Sequence, residues 1–309
     1  MKPLSGVKVL DLTSLLPAPL VSTYLSMLGA EVLKIESPAG DNARNFKELF
    51  QLLNSSKKQI RLDLKDKNDL TNFLELVKTT DIVIENFKPG STEKLGISYS
   101  SLSKINKRLV YCSIIGYKNG HQRHQHAGHD INFLALSGIL KLMKNHDLNS
   151  LQLPNFQLAD IAAGTYPALS GILCGLYHSE KTKEGSHVNI SILENLKPLY
   201  LFLSHLLPTT DLHYPNILSG NEACYSLYKT KDDLYMSLGA FEEKFFKVFV
   251  IEIGLPKLKY SHLKEFFKET KTKDIISKVI STKDQAYWTN HFQYIDCCFT
   301  PVLEPLTFQ

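Results

Sequence analysis

The chain has 309 residues, 43% hydrophobic and 21% charged, with 35 Lys and Arg against 31 Asp and Glu for a net charge of +4. That balance excludes collagen-like, low-complexity and disordered chains and carries no footprint for nucleic acid, while leaving room for a local patch that binds a small anion. Its five cysteines (Cys112, Cys174, Cys224, Cys297 and Cys298) form no CxxC pair, which argues against a disulfide framework and for a reducing compartment.

The opening MKPLSGVKVLDL enters a strand directly, without the basic, apolar and small-residue sections of a signal peptide, so a cytoplasmic location is expected. Residues 7–12 form a short apolar run. Residues 19–28 carry helical spacing and stop at Gly29, a C-terminal helix signal. Residues 31–35 are the next predicted strand, followed by a turn at Ser37, Pro38, Ala39 and Gly40. Another strand is predicted at 60–64, and a helix at 67–78 with Leu70, Phe73, Leu74 and Val77 on one face. Segments 81–85 and 109–115 complete a series of apolar strands, and a further helix is predicted at 133–143. Strands and helices alternating in this way predict an α/β fold with a parallel sheet wrapped by helices.

The uncharged stretch 161–177 is interrupted by Gly164, Pro167, Ser170, Gly171 and Gly175, so a buried helix is expected there and no membrane span. Beyond about residue 207 the segment LPTTDLHYPNILSGNEA is rich in turn formers and is predicted to be a linker or long loop. Residues 225–228 and 234–238 flank KTKDD as a predicted hairpin. Lys-rich amphipathic helices follow through Gln285, and the apolar stretch CCFTPVLEP comes near the end. The expected organisation is a large α/β domain over 1–206, then a linker and small α+β domain over 207–309.

The chain contains no GxGxxG, GxxxxGK[ST] or GxSxG sequence. Its candidate chemistry lies in polar residues set against apolar runs. Asp160, just before a small-residue helix, suits either a helix cap or a carboxylate used as base or nucleophile. His129 in AGHDIN is either a plain loop histidine or a proton carrier beside helix-start N–H groups. His121, His124, His126 and His129 match no standard ligand spacing, so no metal is expected. Glu242 and Glu243 open a helix, where acids complement the dipole. Lys65, Lys88 and Lys94 lie near strand ends, where solvated surface is the default.

Several blocks occur in an order that resembles the family III CoA-transferases, closest to the branch that contains alpha-methylacyl-CoA racemase. They are LSGVKVLDLTSLLPAPLVSTYLSMLGAEVLKIESPAGD, KKQIRLDLKD, DIVIENFKPGSTEKLGISY, NKRLVYCSIIGY, AGHDINFLALSG, LADIAAGTYPALSGILCGLYHSEKTKEGSHVNISILE and YMSLGAFEEKFF, spread over nearly the whole chain. The resemblance implies a large Rossmann-like domain with a smaller α+β domain, and an interlocked homodimer. It makes Asp160 the functional carboxylate: a nucleophile in the transferase branch, and in the racemase branch a base partnered by His129, with Glu242 paired to the histidine.

Inverting the carbon beside a thioester carbonyl needs a proton taken from one face and another delivered to the opposite face. Asp160 and His129 are the expected pair, and the backbone amide of Asp130 is an expected donor to the enolate oxygen. Coenzyme A enters as part of the acyl-CoA substrate, with no metal or redox cofactor and no nucleic-acid partner expected. By the resemblance, Lys65, Lys88 and Lys94 fall in the blocks that flank the coenzyme nucleotide and Arg44 lies in the loop after the second strand, and charge-assisted bonds to phosphate are expected from these four. Three features depart from the pattern. Relatives usually continue for tens of residues beyond CCFTPVLEP, the loop GYKNGHQRHQHAG is rich in histidine, and Phe156 stands where racemase relatives tend to have a polar residue.

Overall fold

The computed structural model describes residues 1–145, 150–206, 218, 220, 222–258 and 270–305. The chain divides into two compact units, Met1–Leu206 and Leu207–Gln309.

The strands of the first unit alternate apolar side chains between two faces, as period-two geometry requires. In β1 (Lys8–Asp11), Val9 joins one core and Leu10 the other. Strands β2 (Glu31–Glu36) and β3 (Lys58–Arg61) follow. In β4 (Ile82–Glu85), Ile82 and Ile84 oppose Val83, and in β5 (Val110–Ile115), Val110, Cys112 and Ile114 oppose Tyr111. A two-stranded antiparallel ladder, β6 (Lys144–Asn145) and β7 (Ser150–Leu151), precedes β8 (Ser186–Ser191) in the chain. The main sheet is six-stranded and wholly parallel, in the order β3-β2-β1-β4-β5-β8. This is an α/β fold with helices packed on the sheet. One core brings in Ala18, Val21 and Leu25 from helix Ala18–Met27 with Ala168 and Ile172 from helix Tyr166–Thr182; the other takes Phe73 and Val77 from helix Lys67–Val77.

Several elements differ from their sequence patterns for definable reasons. The strand expected at 60–64 lies at Lys58–Arg61, because its register is set by pairing with Leu33–Glu36; Leu62 and Leu64 pack beyond its end. Strand β8 lacks an apolar run because it is a sheet edge, with His187 and Asn189 exposed. The helix expected at 133–143 begins earlier, as Asp130–Ser137. It stops at Gly138, whose φ of 85° suits a glycine, before a single turn at Ile139–Leu142. The stretch 161–177 is half-buried, with Leu173 and Tyr177 exposed. No helix among the described residues is long and apolar enough to cross a membrane.

In the second unit, β9 (Tyr225–Lys229), β10 (Tyr235–Gly239) and β11 (Phe299–Pro301) form an antiparallel sheet in the order β11-β10-β9. Helices Glu243–Glu252, Thr270–Ile280 and Gln285–Phe292 join Phe246, Phe249, Ile276, Trp288 and Phe292 to Tyr228, Met236 and Phe299 in an aromatic-rich core. Most of the segment predicted as a linker lies outside the described residues.

Candidate active site

In an open parallel sheet, the crevice beyond the carboxyl ends of the strands forms where the strand order reverses. Here the chain passes from β1 through β2 to β3 on one side, and through β4, β5 and β8 on the other. A cavity of about 230 Å³ lies at that place, lined by Leu12–Ser14 after β1, Glu36–Ser37 and Gly40–Asp41 around the end of β2, Leu62–Lys65 after β3, and Phe87 after β4. The turns after β1 and β4 are locked together: Ser14 N–H donates to Asn86 Oδ1 (3.0 Å), and Asn86 Nδ2 donates to the Ser14 carbonyl (2.7 Å).

Buried charges hold the floor of this crevice. The Lys57 ammonium lies 3.1 Å from Asp11 Oδ2 and donates to the Pro19 carbonyl, while Lys34 bonds Asp41 (2.9 Å) and the Thr13 carbonyl (2.7 Å). Burial alone would raise the Asp11 carboxyl. Lys57 and Lys34, aided by the Ser22 and Thr13 hydroxyls, more than offset it, so the group lies below the ordinary aspartate range.

Of the four basic residues expected at the coenzyme, Lys65 lines this crevice. Lys94 ends the short helix Ser91–Lys94 and is exposed; Lys88 is exposed too and lines the neighbouring cavity. The Arg44 guanidinium is engaged by Glu36 (2.8 and 2.7 Å) and Gln59 (3.0 Å) and lies 4.1 Å from the Phe50 ring centre, so in this state its fork braces the wall beside the crevice.

The carboxylate centre is built by the helix that contains Asp160. Leu158 and Ala159 are already helical, and Asp160–Thr165 forms a π-helical turn before the α-helix Tyr166–Thr182. Such turns are widened by one residue and recur at functional sites. Pro167 has no N–H for the Ala163 carbonyl, which accepts from Asn195 Nδ2 instead (3.1 Å). Gly164 admits the turn after β1: a Cβ there would stand 2.7 Å from Pro17 Cγ. Thr165 Oγ1 completes the contact by donating to the Pro17 carbonyl (3.1 Å). One loop, residues 12–17, therefore touches both the crevice and the Asp160 turn.

Asp160 is not the cap of its own helix, one of the two roles its position allowed. The cap is Asp130, thirty residues earlier, whose carboxyl accepts from the Asp160 backbone N–H at 2.8 Å and also from Ala159 and Leu158. That task frees the Asp160 side chain. It is 6% exposed, has no ion-pair partner among the described residues, and is pushed up to about 7, first by burial and then by the neighbouring Asp130 charge. Burial also raises Asp130, against the pull of its three N–H donors.

His129 is the residue before helix Asp130–Ser137 and is exposed. Its backbone N–H donates to Asn132 Oδ1 (3.0 Å), closing the first turn. The Asp130 amide lies in that turn, where N–H groups have no partner inside the helix. Phe133 fixes the approach: a Cβ on Gly128 would stand 2.9 Å from its ring and 2.8 Å from the Tyr117 hydroxyl. His129 and Asp130 line a cavity of about 380 Å³ with Ile131, Leu134, Leu153 and Phe156 among its walls. Of the other loop histidines, His121 stacks on Tyr117 and His124 Nδ1 meets the Tyr117 carbonyl (3.1 Å). Among the described residues no group of three or more His, Cys, Asp or Glu is arranged to hold a metal ion.

Thus the first unit holds Asp160, Asp130 and His129: Asp130 meets Asp160 directly, and His129 adjoins Asp130 in the chain and lines a cavity with it. Glu242 stands in the second, exposed, at the N-cap of helix Glu243–Glu252. Sequence reasoning missed the Asp130 side chain, whose N–H donors are about thirty residues away, and Asn195, for which Pro167 inside a helix was the available signal.

A family description, CoA-transferase family III, matches residues 4–308. The chain is 33% identical over 309 residues to the CaiB/baiF CoA-transferase family protein ZK892.4 of Caenorhabditis elegans, covering 97% of this chain and 86% of that one. It is 30% identical over 305 residues to alpha-methylacyl-CoA racemase of Homo sapiens, covering 97% and 78%. The solved structure of Rv3272 from Mycobacterium tuberculosis matches with a TM-score of 0.84 at 25% identity, over 98% of this chain and 83% of that one.

Proposed function

We propose, from the premise that this chain belongs to CoA-transferase family III, that it inverts the α-carbon of 2-methylacyl-CoA thioesters by proton transfer through an enolate. The observation that carries this reading is the Asp160 carboxyl: buried, without a cation among the described residues, beside a second carboxyl, and pushed up to about 7. A group poised there holds both protonation states at neutral pH, as a general acid–base catalyst needs. A carboxylate meant only as a nucleophile is better served by a low value, the situation of Asp11.

In this mechanism the coenzyme lies over the strand ends, its phosphates meeting Lys65, Lys88 and Lys94, and the thioester reaches the Asp160 turn. One of Asp160 and His129 takes the α-proton, the electron pair moves onto the thioester oxygen, and the other returns a proton to the opposite face. The Asp130 amide donates to the enolate oxygen. Ile131, Leu134, Leu153 and Phe156 give the acyl group an apolar wall. The enzyme is a homodimer in this reading.

Incubation with one enantiomer of a 2-methylacyl-CoA in deuterated water tests it. The expected result is deuterium at the α-carbon with loss of optical purity. Retention of both the α-hydrogen and the configuration overturns the reading. Coenzyme exchange with a free carboxylic acid, accompanied by a covalent adduct on Asp160, would assign the transferase chemistry instead.

A further inference from the structure

Beside the crevice, the ends of β4, β5 and β8 enclose a second cavity of about 230 Å³. Phe87 lines both spaces, one from each side of the turn after β4. The residue behind that turn is Glu85, 4% exposed, whose Oε2 accepts the Phe87 backbone N–H at 2.8 Å. Ser113 on β5 hydrogen-bonds the same carboxyl, and its Oγ lies 2.9 Å from His187 Nε2 on the edge strand β8. A serine hydroxyl carries one proton. If Ser113 donates it to the Glu85 carboxylate, His187 must donate Nε2–H to Ser113, and the three form a single directed line. The imidazole is held in place by stacking on Tyr99 (centroids 5.0 Å apart) and by an edge contact with Tyr111 (5.3 Å).

We propose that Glu85 is a positioning residue for coenzyme binding: by anchoring the Phe87 amide it fixes the Asn86–Phe87 turn that walls the crevice, and Ser113 and His187 hold its carboxylate in the anchoring orientation. The inference rests on the reading of the crevice as the coenzyme pocket. It requires a charged Glu85, because a carboxylate accepts an N–H more strongly than a neutral acid does. The surroundings make that charge sensitive to pH. Glu93 on the helix Ser91–Lys94 and Tyr111 on β5 face Glu85, the Cys112 thiol lies on the other face of β5, His187 on β8 reaches Glu85 through Ser113, and Lys88 and His124 line the same cavity. Among the described residues none forms an ion pair with it. Burial is the largest influence and raises Glu85. The Ser113 and Phe87 donors act downward and the Glu93 carboxylate upward, leaving a net rise. His187 is lowered, mainly because its ring packs against Tyr99 and Tyr111 and loses hydration although the residue keeps an exposed side, and so is neutral in neutral solution. Acidification should therefore neutralise Glu85 above the ordinary glutamate range and loosen the turn.

Calorimetric titration with coenzyme A from pH 5 to 8 tests this on wild type, Glu85→Gln and His187→Phe. Coenzyme A has its own phosphate titration near pH 6, which cancels in the ratio of variant to wild type. Glu85→Gln keeps an acceptor oxygen but loses the charge, and should weaken binding about fivefold at pH 8, the difference between a charged and a neutral acceptor. The ratio should then shrink as the solution is acidified. His187→Phe keeps the stacking and loses Nε2; it should weaken binding about twofold with the same narrowing toward acid. A ratio that stays constant with pH marks a merely structural role and overturns the proposal, as does unchanged affinity. If Glu85→Gln does not fold, the exposed-strand variant His187→Phe decides alone. Wild type without affinity for coenzyme A overturns the functional reading and this inference together; wild-type affinity with a flat ratio overturns this inference only.

Discussion

Asp11 and Asp160 are both buried aspartates of the first unit, joined by one loop, and their surroundings drive them in opposite directions. Asp11 ends β1 and meets Lys57, with Lys34 close behind and two hydroxyls donating to it. Asp160 meets another carboxyl and has no cation among the described residues. Burial raises both, so the sign of the net shift is decided by neighbours. A paired carboxylate is structural: it fixes the turn that forms the crevice floor. The unmatched one holds a proton near neutrality at a cost in folding stability, the state that the proposed acid–base role requires.

Replacing Asp160 with Asn should have the largest effect on turnover, lowering α-proton exchange by about 10²–10⁴-fold, the usual contribution of a general acid–base group. NMR of deuterium incorporation reads the loss. The same variant should be the more stable protein in mild alkali. The folded-state value of Asp160 lies above its unfolded value, so wild type loses stability as pH rises from the ordinary carboxylate range through about 7. Urea melts at pH 4.5 and 8 should show the gap between variant and wild type opening with pH; a gap that closes would break the comparison.

Asp11→Ala tests the other side. It leaves Lys57 buried and uncompensated, and should cost about 3–5 kcal/mol in urea denaturation. The sign is reversed here. Asp11 is lowered in the fold, so its contribution is present at neutral pH and is lost as pH falls through its folded-state value. A cost that grows on acidification would contradict this.

The smallest effect is expected from Asp130→Asn, which keeps an acceptor for the Asp160 N–H and removes the like charge. The acid limb of kcat/KM should move down by about one pH unit. An unmoved limb would leave burial as the sole cause of the Asp160 shift.

Much of the fold was legible because it follows from local pattern. Strands β1, β2, β4 and β5 are apolar runs of the right length, Gly29 stops the first helix, and the hairpin of the second unit flanks its polar turn. Strand β8 was not legible: an edge strand needs no apolar run, and SHVNIS is fixed by pairing with β5. The break at Gly138 was missed because helical spacing continues through it, and only the backbone conformation shows the stop. Among site residues, Asp160 and His129 were visible as polar residues against apolar runs. Their relation was not, since the Asp130 carboxyl acts across thirty residues, and Arg44, legible only as a basic residue, is engaged by Glu36.

By itself the sequence determined the family, the α/β class and the candidate carboxylate, because motif order, strand alternation and helix stops are local properties of the chain. Only the tertiary structure decided which aspartate caps the Asp160 helix and which carries a labile proton. It also decided which basic side chains stay open to a phosphate and which brace a wall. Charge state and partnership depend on burial and on neighbours distant in sequence, and neither exists until the sheet and its helices have packed.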